Sequence, residues 1–396
     1  MEKKVNLLFV SHSSNLLGGA EDDFERLLSY FAQKKDKYVI HGLFPLGERA
    51  SNYASYCEKY GYYKWGYLPI HSASIIAYIK YILKFFIQHY QIKRFVSNNY
   101  YDLCIINVSA LVWPAVSLKL LKFKVVVFIR EVIQPKILRT LSYKILNRYS
   151  DYFISISNYI YKLFTDITQS KKISVIQTAI EEKSNESIGE ELVRRYLSQH
   201  ISERICSPKC FRILSVGAVE KKKNQLLLIQ ALSYLINESN IKKLFIFFVG
   251  AYDERNKYYL KLRKYIIKNN LEDYVLFLNS LPNKIVQSIM NIVDCVAITS
   301  LDEGYSIVFL EAMKNRKTII STKVADIPDI ILNMYNGILI ENSTESLVNA
   351  IKSLLDNETL LKIIGERGYD TFLKINNYSD NLLRTEYIIN KMLYHE

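Results

Sequence analysis

Apolar residues along this chain gather in short runs, separated by longer stretches with a helical rhythm. The runs VNLLFV (5–10), YVIHGLF (38–44), LCIINV (103–108), KVVVFI (124–129), YFISIS (152–157) and KISVIQ (172–177) have the length and the β-branched and aromatic content of strands. The series resumes with FRILSVG (211–217), KLFIFFVG (243–250), YVLFLN (274–279), CVAITS (295–300), TIISTK (318–323) and GILIE (337–341). Strands that are apolar throughout and spaced by helices predict parallel sheets covered on both faces. Between the two series lies a polar, charged interval, 181–209. The pattern therefore predicts two doubly wound, Rossmann-like α/β domains facing a cleft: residues 1–185 and 210–375, with a linker region at 186–209. In such folds ligands bind at the C-terminal ends of the strands.

One helical stretch, IIAYIKYILKFFIQHYQIKRF (75–95), carries a second message. Ile75, Ile79, Ile82, Phe86 and Tyr90 fall near one face, and Lys80, Lys84, Gln88 and Gln91 on another. It reads as a helix packed on the first sheet through that apolar face, or as an aromatic and basic surface resting on an anionic membrane.

Charge bears on that choice. The 396 residues carry a formal net charge of +13, which calls for an anionic partner. No basic run of five or more, aromatic RNA-binding motif or zinc-finger spacing is present, so phosphate ligands or a membrane surface rank above nucleic acid. Five cysteines, an odd number, argue against a disulfide framework and for a cytoplasmic protein. Cys206 and Cys210 lack a second Cys or His pair at zinc-site spacing. The N-terminal run lacks a signal peptide's length and cleavage site, and no stretch of about 18 uncharged apolar residues predicts a membrane span.

Three strand-end segments could carry chemistry. In TSLDEGYSIVFLEAM, a strand end leads through Gly304 into a helix beginning near Ser306. The first amides of that helix are a seat for phosphate. Glu311 lies five residues on, about 7.5 Å along the axis, a suitable reach to the hydroxyls of a ribose. Glu303, in the loop, would lie where a sugar could sit. The segment alone reads equally well as a solvated helix glutamate and a turn glutamate. In SVGAVEKKKNQ, Lys221, Lys222 and Lys223 precede a helix, a placement that suits a diphosphate for one of them. In SNLLGGAEDD, Gly18 and Gly19 precede a helix and let backbone amides approach a ligand. His12, after the first strand, reads as an acceptor-side residue or as an ordinary strand-end histidine.

Taken together and in this order, LLGGAE, KN at 223–224, DEGYSIVFLEAM, TKVADIPDII and YNGILI resemble the family 4 (group 1) retaining glycosyltransferases of GT-B architecture. YFISISNYI and KISVIQTAI are similar to the last strands of that family's N-terminal domain. The resemblance implies a metal-independent, retaining hexosyltransferase with no cofactor. It would move a sugar from a nucleoside diphosphate, UDP favoured, to a glycan acceptor, lipid-linked, in bacterial surface polysaccharide synthesis. It would work in the cytoplasm or peripherally on the inner face of the cell membrane. Glu303 would contact sugar hydroxyls, and the amides of Gly304, Tyr305 and Ser306 would hold the distal phosphate. Glu311 would bind ribose, and Lys223 would neutralise the leaving diphosphate. Gly18 and Gly19 would floor the phosphate and acceptor site, and the loop near Leu281 would lie against the base. The helix at 376–396 would cross back to the first domain.

Several positions depart from the family pattern. Ala218 stands for an arginine, and Arg130 with Glu131 stands where a histidine ends the strand. There Arg130 would bind phosphate or an anionic acceptor, with Glu131 beside it on the acceptor side. Arg316-Lys317-Thr318 replaces Gly-x-Pro, and Ala325-Asp326 replaces paired glycines. These departures keep two other readings open: a non-catalytic binding module derived from such an enzyme, and a sugar-nucleotide epimerase on the same architecture.

Overall fold

A computed structural model describes residues 4–14, 19–63, 75–182, 210–355 and 357–394, with the side chains of 75–78 left aside. Gly18, Cys206 and the linker region 186–209 lie outside the described residues. The chain forms two compact units, one of residues 1–178 with 379–396, the other of 179–378.

The first unit holds a seven-stranded parallel sheet in the order β3-β2-β1-β4-β5-β6-β7. These strands are β1 Val5–Val10, β2 Tyr38–Pro45, β3 Lys59–Tyr63, β4 Leu103–Ile106, β5 Val125–Ile129, β6 Tyr152–Ser155 and β7 Ile173–Val175. In register, Leu7 faces Ile40 on one side and Leu103 on the other. Every residue of β4 and β5 is buried, as expected for strands covered on both faces. β3 escapes the hydrophobic pattern. KYGYY pairs only with β2, at the sheet edge, and most of it is solvent-facing, so no apolar run marks it.

The helices of this unit are α1 Gly19–Ala32, α2 Ala50–Ser55, α3 Ile75–Leu83, α4 Phe85–Val96, α5 Val112–Leu120, α6 Lys136–Arg148 and α7 Asn158–Thr168, with the final helix Tyr378–Tyr394. α7 starts where the Ser157 side chain accepts a hydrogen bond from the Ile160 amide at 3.1 Å. The final helix packs Ile388 and Ile389 into the core of β1, β2 and α1. Glu386 fixes it there through Tyr30, Lys34, Lys37 and Tyr38.

The continuous helix expected at 75–95 is two helices broken at Lys84, and its packing face is corrected too. Ile79, Ile82, Phe86 and Tyr90 are exposed, whereas Tyr81, Gln88, Ile92 and Val96 point inward. Both sides of the pair carry apolar residues, and the buried stripe includes a glutamine, so periodicity alone did not fix the packing face.

The second unit repeats the plan with six parallel strands in the order β10-β9-β8-β11-β12-β13. They are β8 Phe211–Val216, β9 Leu244–Val249, β10 Val275–Leu278, β11 Cys295–Ile298, β12 Thr318–Thr322 and β13 Ile338–Ile340. Helices α8 Gln225–Asn237, α9 Lys257–Lys268, α10 Asn283–Ile292, α11 Ile307–Lys314, α12 Ile327–Ile330, α13 Thr344–Leu355 and α14 Glu358–Ile375 divide between the two faces. Two apolar clusters result, one around Leu228, Leu232 and Ile351, the other around Leu214, Val296 and Leu310. Among the described residues no helix is long and apolar enough to cross a membrane.

Candidate functional site

In the second unit the strand ends converge on Lys223. Gly217, after β8, has φ 146°, and Gly250, after β9, has φ 150°. A side chain at Gly250 would place its Cβ 2.3 Å from the Gly217 carbonyl oxygen, so two glycines let these strand ends meet. The stem of Lys223 runs over Gly217, where a Cβ would come within 3.1 Å of Lys223 Cε. The lysines form one 3₁₀ turn, Lys221–Lys223, closed by Asn224 in the left-handed region. Thr299 Oγ1 donates to the Lys223 carbonyl at 3.0 Å, and the Leu301 amide to the Lys222 carbonyl at 2.7 Å. The loop after β11 is thus stitched to the loop after β8.

This stitching sets Lys223 Nζ 2.6 Å from Glu303 Oε1. Ser300 Oγ donates to the same oxygen at 2.7 Å. Lys222 pairs instead with Glu220 at 3.2 Å, and Lys221 is exposed, so the triplet resolves into one lysine held at the strand ends and two at the surface. Ser306 stands at the N-cap of α11 with an extended backbone, but its side chain makes no capping bond. The first amides of α11 therefore lack the cap expected from that serine, and the helix dipole favours an anion there. Tyr305 lies between Gly304 and that cap. Burial pushes its phenol up, and the Asp326 carboxylate adds to the rise, so it stays a neutral hydroxyl.

Glu311 is buried on α11, and Asn283 Nδ2 donates to its Oε1 at 3.1 Å. Asn283 opens α10, two residues after Leu281, which packs partly buried against the Leu214 cluster. Glu303, Gly304, Tyr305, Ser306 and Glu311 therefore share one loop and helix, with Lys223 bound to its start and the Leu281 loop to its middle. Sequence reasoning missed Ser300 and Asn283, which orient the two glutamates. Each is a short polar residue at a strand end or helix start, with no spacing to single it out.

In the first unit Gly19 begins α1. His12 follows β1, with Nε2 3.5 Å from Glu21 Oε1. Burial holds its imidazole below the ordinary value, against the pull of Glu21, and Arg130 adds to the lowering. Arg130 leaves the end of β5 and turns inward. Its Nε donates to the carbonyl and side-chain oxygens of Asn107, at 3.0 and 3.1 Å. Its Nη1 pairs with Asp23, which also pairs with Arg26 at 3.2 Å. The guanidinium lies 4.7 Å from the Phe128 ring centre. Glu131 reaches across to the loop after β4, where Oε1 accepts from Ser109 Oγ at 2.9 Å and from the Ala110 amide at 2.6 Å. Its other oxygen is buried and meets no hydrogen-bond partner of good geometry among the described residues. Burial pushes this carboxyl up, more than the bonds from Ser109 and Ala110 hold it down. Asp23 and Asn107, partners of Arg130, carried no sequence signal, because each lies far from it along the chain.

Comparisons with known proteins bear on the family and the fold. The family model described as glycosyl transferases group 1 matches residues 206–371. An uncharacterised glycosyltransferase of Methanocaldococcus jannaschii is 34% identical over 113 residues, 28% of this chain and 32% of that one. The human alpha-1,3/1,6-mannosyltransferase ALG2 is 27% identical over 177 residues, 43% of this chain and 42% of that one. The matches thus span about a third and two-fifths of those relatives. Among solved structures, Anabaena HepE in complex with UDP-glucose superposes with a TM-score of 0.76 at 17% identity, over 98% of this chain and 99% of that one. Sucrose-phosphate synthase from Thermosynechococcus elongatus gives 0.76 at 14% identity over the full length of both. These structures share the fold.

Proposed function

From the membership of this chain in the group 1 glycosyltransferases of GT-B architecture, we infer that it transfers a sugar, with retention, from a nucleoside diphosphate to a glycan hydroxyl. The observation that carries this reading is the meeting of Lys223, Ser300 and Glu303 at the start of a helix that bears Glu311. UDP is the favoured carrier, since the HepE neighbour was solved with UDP-glucose. The acceptor is carried on a lipid, and the reaction runs at the cytoplasmic face of a cell membrane, in surface polysaccharide synthesis.

In this reading the amides of Gly304, Tyr305 and Ser306 hold the distal phosphate at the helix start. Glu311, oriented by Asn283, accepts from the ribose hydroxyls, and the Leu281 loop borders the base. Glu303 accepts from sugar hydroxyls. In the first unit, Gly18, Gly19, His12 and Glu131 are assigned to the acceptor. Arg130, spent on Asp23 and Asn107, holds the strand ends of that unit in place. The bond from the anomeric carbon to the diphosphate breaks as the acceptor oxygen bonds to the same face of that carbon. The departing diphosphate takes the hydroxyl proton. Lys223 then exchanges part of its contact with Glu303 for the phosphate charge, which is electrostatic stabilisation of a leaving group without a metal.

A thermal-shift series with UDP, GDP and ADP tests this. A nucleotide at 100 times its dissociation constant adds about 2.7 kcal/mol of stability to the wild type. No shift with any nucleotide overturns the reading, and an undiminished shift in Glu311→Ala overturns the ribose role. Donor hydrolysis without acceptor separates an enzyme from a non-catalytic module: its absence, with UDP still bound, favours the module.

A further inference from the structure

We propose that the outer face of α3 and α4 docks the first unit onto an anionic bilayer. This deepens the reading above, on which the lipid-borne acceptor rests. Six large apolar side chains, Ile79, Ile82, Leu83, Phe86, Ile87 and Tyr90, stand on this face, each more than half exposed. Exposed apolar groups on that scale mark a surface that is covered in use.

Charge identifies the cover. From 59 to 101 the chain has six basic residues and no Asp or Glu. Four of them, Lys80, Lys84, Lys93 and Arg94, are exposed on these two helices. An apolar stripe edged by cations and empty of acids fits lipid tails beneath anionic headgroups. A second copy of the same surface would set these cations against one another.

The helices are also tied to the acceptor side of the unit. Tyr81, on the inner face of α3, donates its hydroxyl to the Ala110 carbonyl at 3.3 Å. Trp113 Nε1 donates to the Tyr81 carbonyl at 3.1 Å, and the two rings stack at 5.7 Å. The amide of the same Ala110 is the one held by Glu131. The helix that would rest on a bilayer is thus joined at Ala110 to the loop after β4, which Glu131 holds from the end of β5.

The test is flotation of the full chain with vesicles of phosphatidylcholine, with and without phosphatidylglycerol, across a salt series. Binding is expected only with the anionic lipid, falling as salt rises. The double variant Lys80→Gln/Lys84→Gln should weaken partitioning about 25-fold. Phe86→Ser/Ile87→Ser should weaken it about 100-fold. All four side chains are exposed, so the fold and the UDP thermal shift should persist. Equal binding to neutral vesicles, or binding unchanged in both variants, overturns the proposal. So does a dimer in sedimentation that Phe86→Ser/Ile87→Ser abolishes, because a second copy would then cover the face. Loss of flotation with donor hydrolysis intact refutes the docking face alone. Flotation intact with no nucleotide binding refutes the transferase reading alone.

Discussion

Each unit places a cation–carboxylate pair at the C-terminal ends of its strands, and the two pairs differ in what they leave over. In the second unit Lys223 meets Glu303, and Glu303 is its one side-chain partner among the described residues. An ammonium has three donors, so such a pair keeps hydrogen-bonding capacity for an arriving anion. In the first unit Arg130 meets Asp23, bonds Asn107 twice and lies against Phe128. Its side chain is 5% exposed, against 21% for Lys223. Similar chemistry at similar topological positions therefore serves two ends. One pair is held open at a strand end, and the other is consumed in holding strand ends together.

Substitution should separate the two. Lys223→Ala removes the charge that faces the leaving diphosphate, and kcat/KM should fall about 10²–10³-fold. Glu303 keeps Ser300 as a partner, and the lost pair is partly exposed, so stability should change by less than about 1 kcal/mol. Initial rates and urea denaturation on the same preparation read both quantities. A large stability loss with retained activity would put Lys223 in the class of Arg130.

Arg130→Leu should do the reverse. It strips a buried charge partner from Asp23 and two hydrogen bonds from Asn107, at a cost of about 3 kcal/mol in urea unfolding. The UDP thermal shift, which reports on the second unit, should survive. If stability is unchanged while turnover collapses, Arg130 acts on the substrate and the contrast fails.

Acid tests the consumed kind of pair in a third setting. Burial alone would raise the Glu386 carboxyl, but hydrogen bonds from Lys34, Tyr30, Tyr38 and Lys37 win and hold it at about 2. The unfolded chain binds the proton more readily, near its ordinary value of about 4.3. This contribution is therefore complete above that value and is lost as pH falls towards 2. Allowing for screening at the partly exposed lysines, about 2 kcal/mol should go over that window. Glu386→Gln should flatten this part of the stability–pH curve. An unchanged curve would show that the final helix is held by Ile388 and Ile389 alone.

Sequence legibility follows the same division. Strands buried on both faces were visible as apolar runs, because burial on both sides demands apolar residues throughout. β3 was invisible because an edge strand facing water needs no such run. The roles proposed for Glu303, Glu311 and Lys223 were suggested by a strand end, a glycine and a helix start, all local in sequence. What held them was not readable, since Ser300, Thr299 and Asn283 act through contacts set by the tertiary fold. The inward turn of Arg130 depends on Asp23 and Asn107, each distant in sequence. The exposed face of α3 and α4 was left between two readings because both sides of that helix pair carry apolar residues, and packing against Trp113 and α5 decides between them.

The finest test concerns two positions where the family resemblance places glycine and this chain does not. Arg316 and Ala325 both adopt left-handed backbone, at φ 55° and 48°. Arg316 closes α11: its amide donates to the Met313 carbonyl at 3.0 Å, and the next amide to that of Ala312 at 2.9 Å. Its side chain offsets the backbone cost by lying 3.8 Å over the Tyr369 ring and pairing with Glu366, both on α14. Ala325 has a methyl group and nothing comparable to offer. Ala325→Gly should therefore stabilise the protein by about 0.5–1 kcal/mol. Arg316→Gly should fall within about 0.5 kcal/mol of zero, because relief of backbone strain is cancelled by loss of the cation–π contact and the exposed ion pair. Equal gains at both sites would mean that the contacts of Arg316 with Glu366 and Tyr369 contribute nothing. A loss at Ala325→Gly would mean that its methyl group is held by packing strong enough to outweigh the strain.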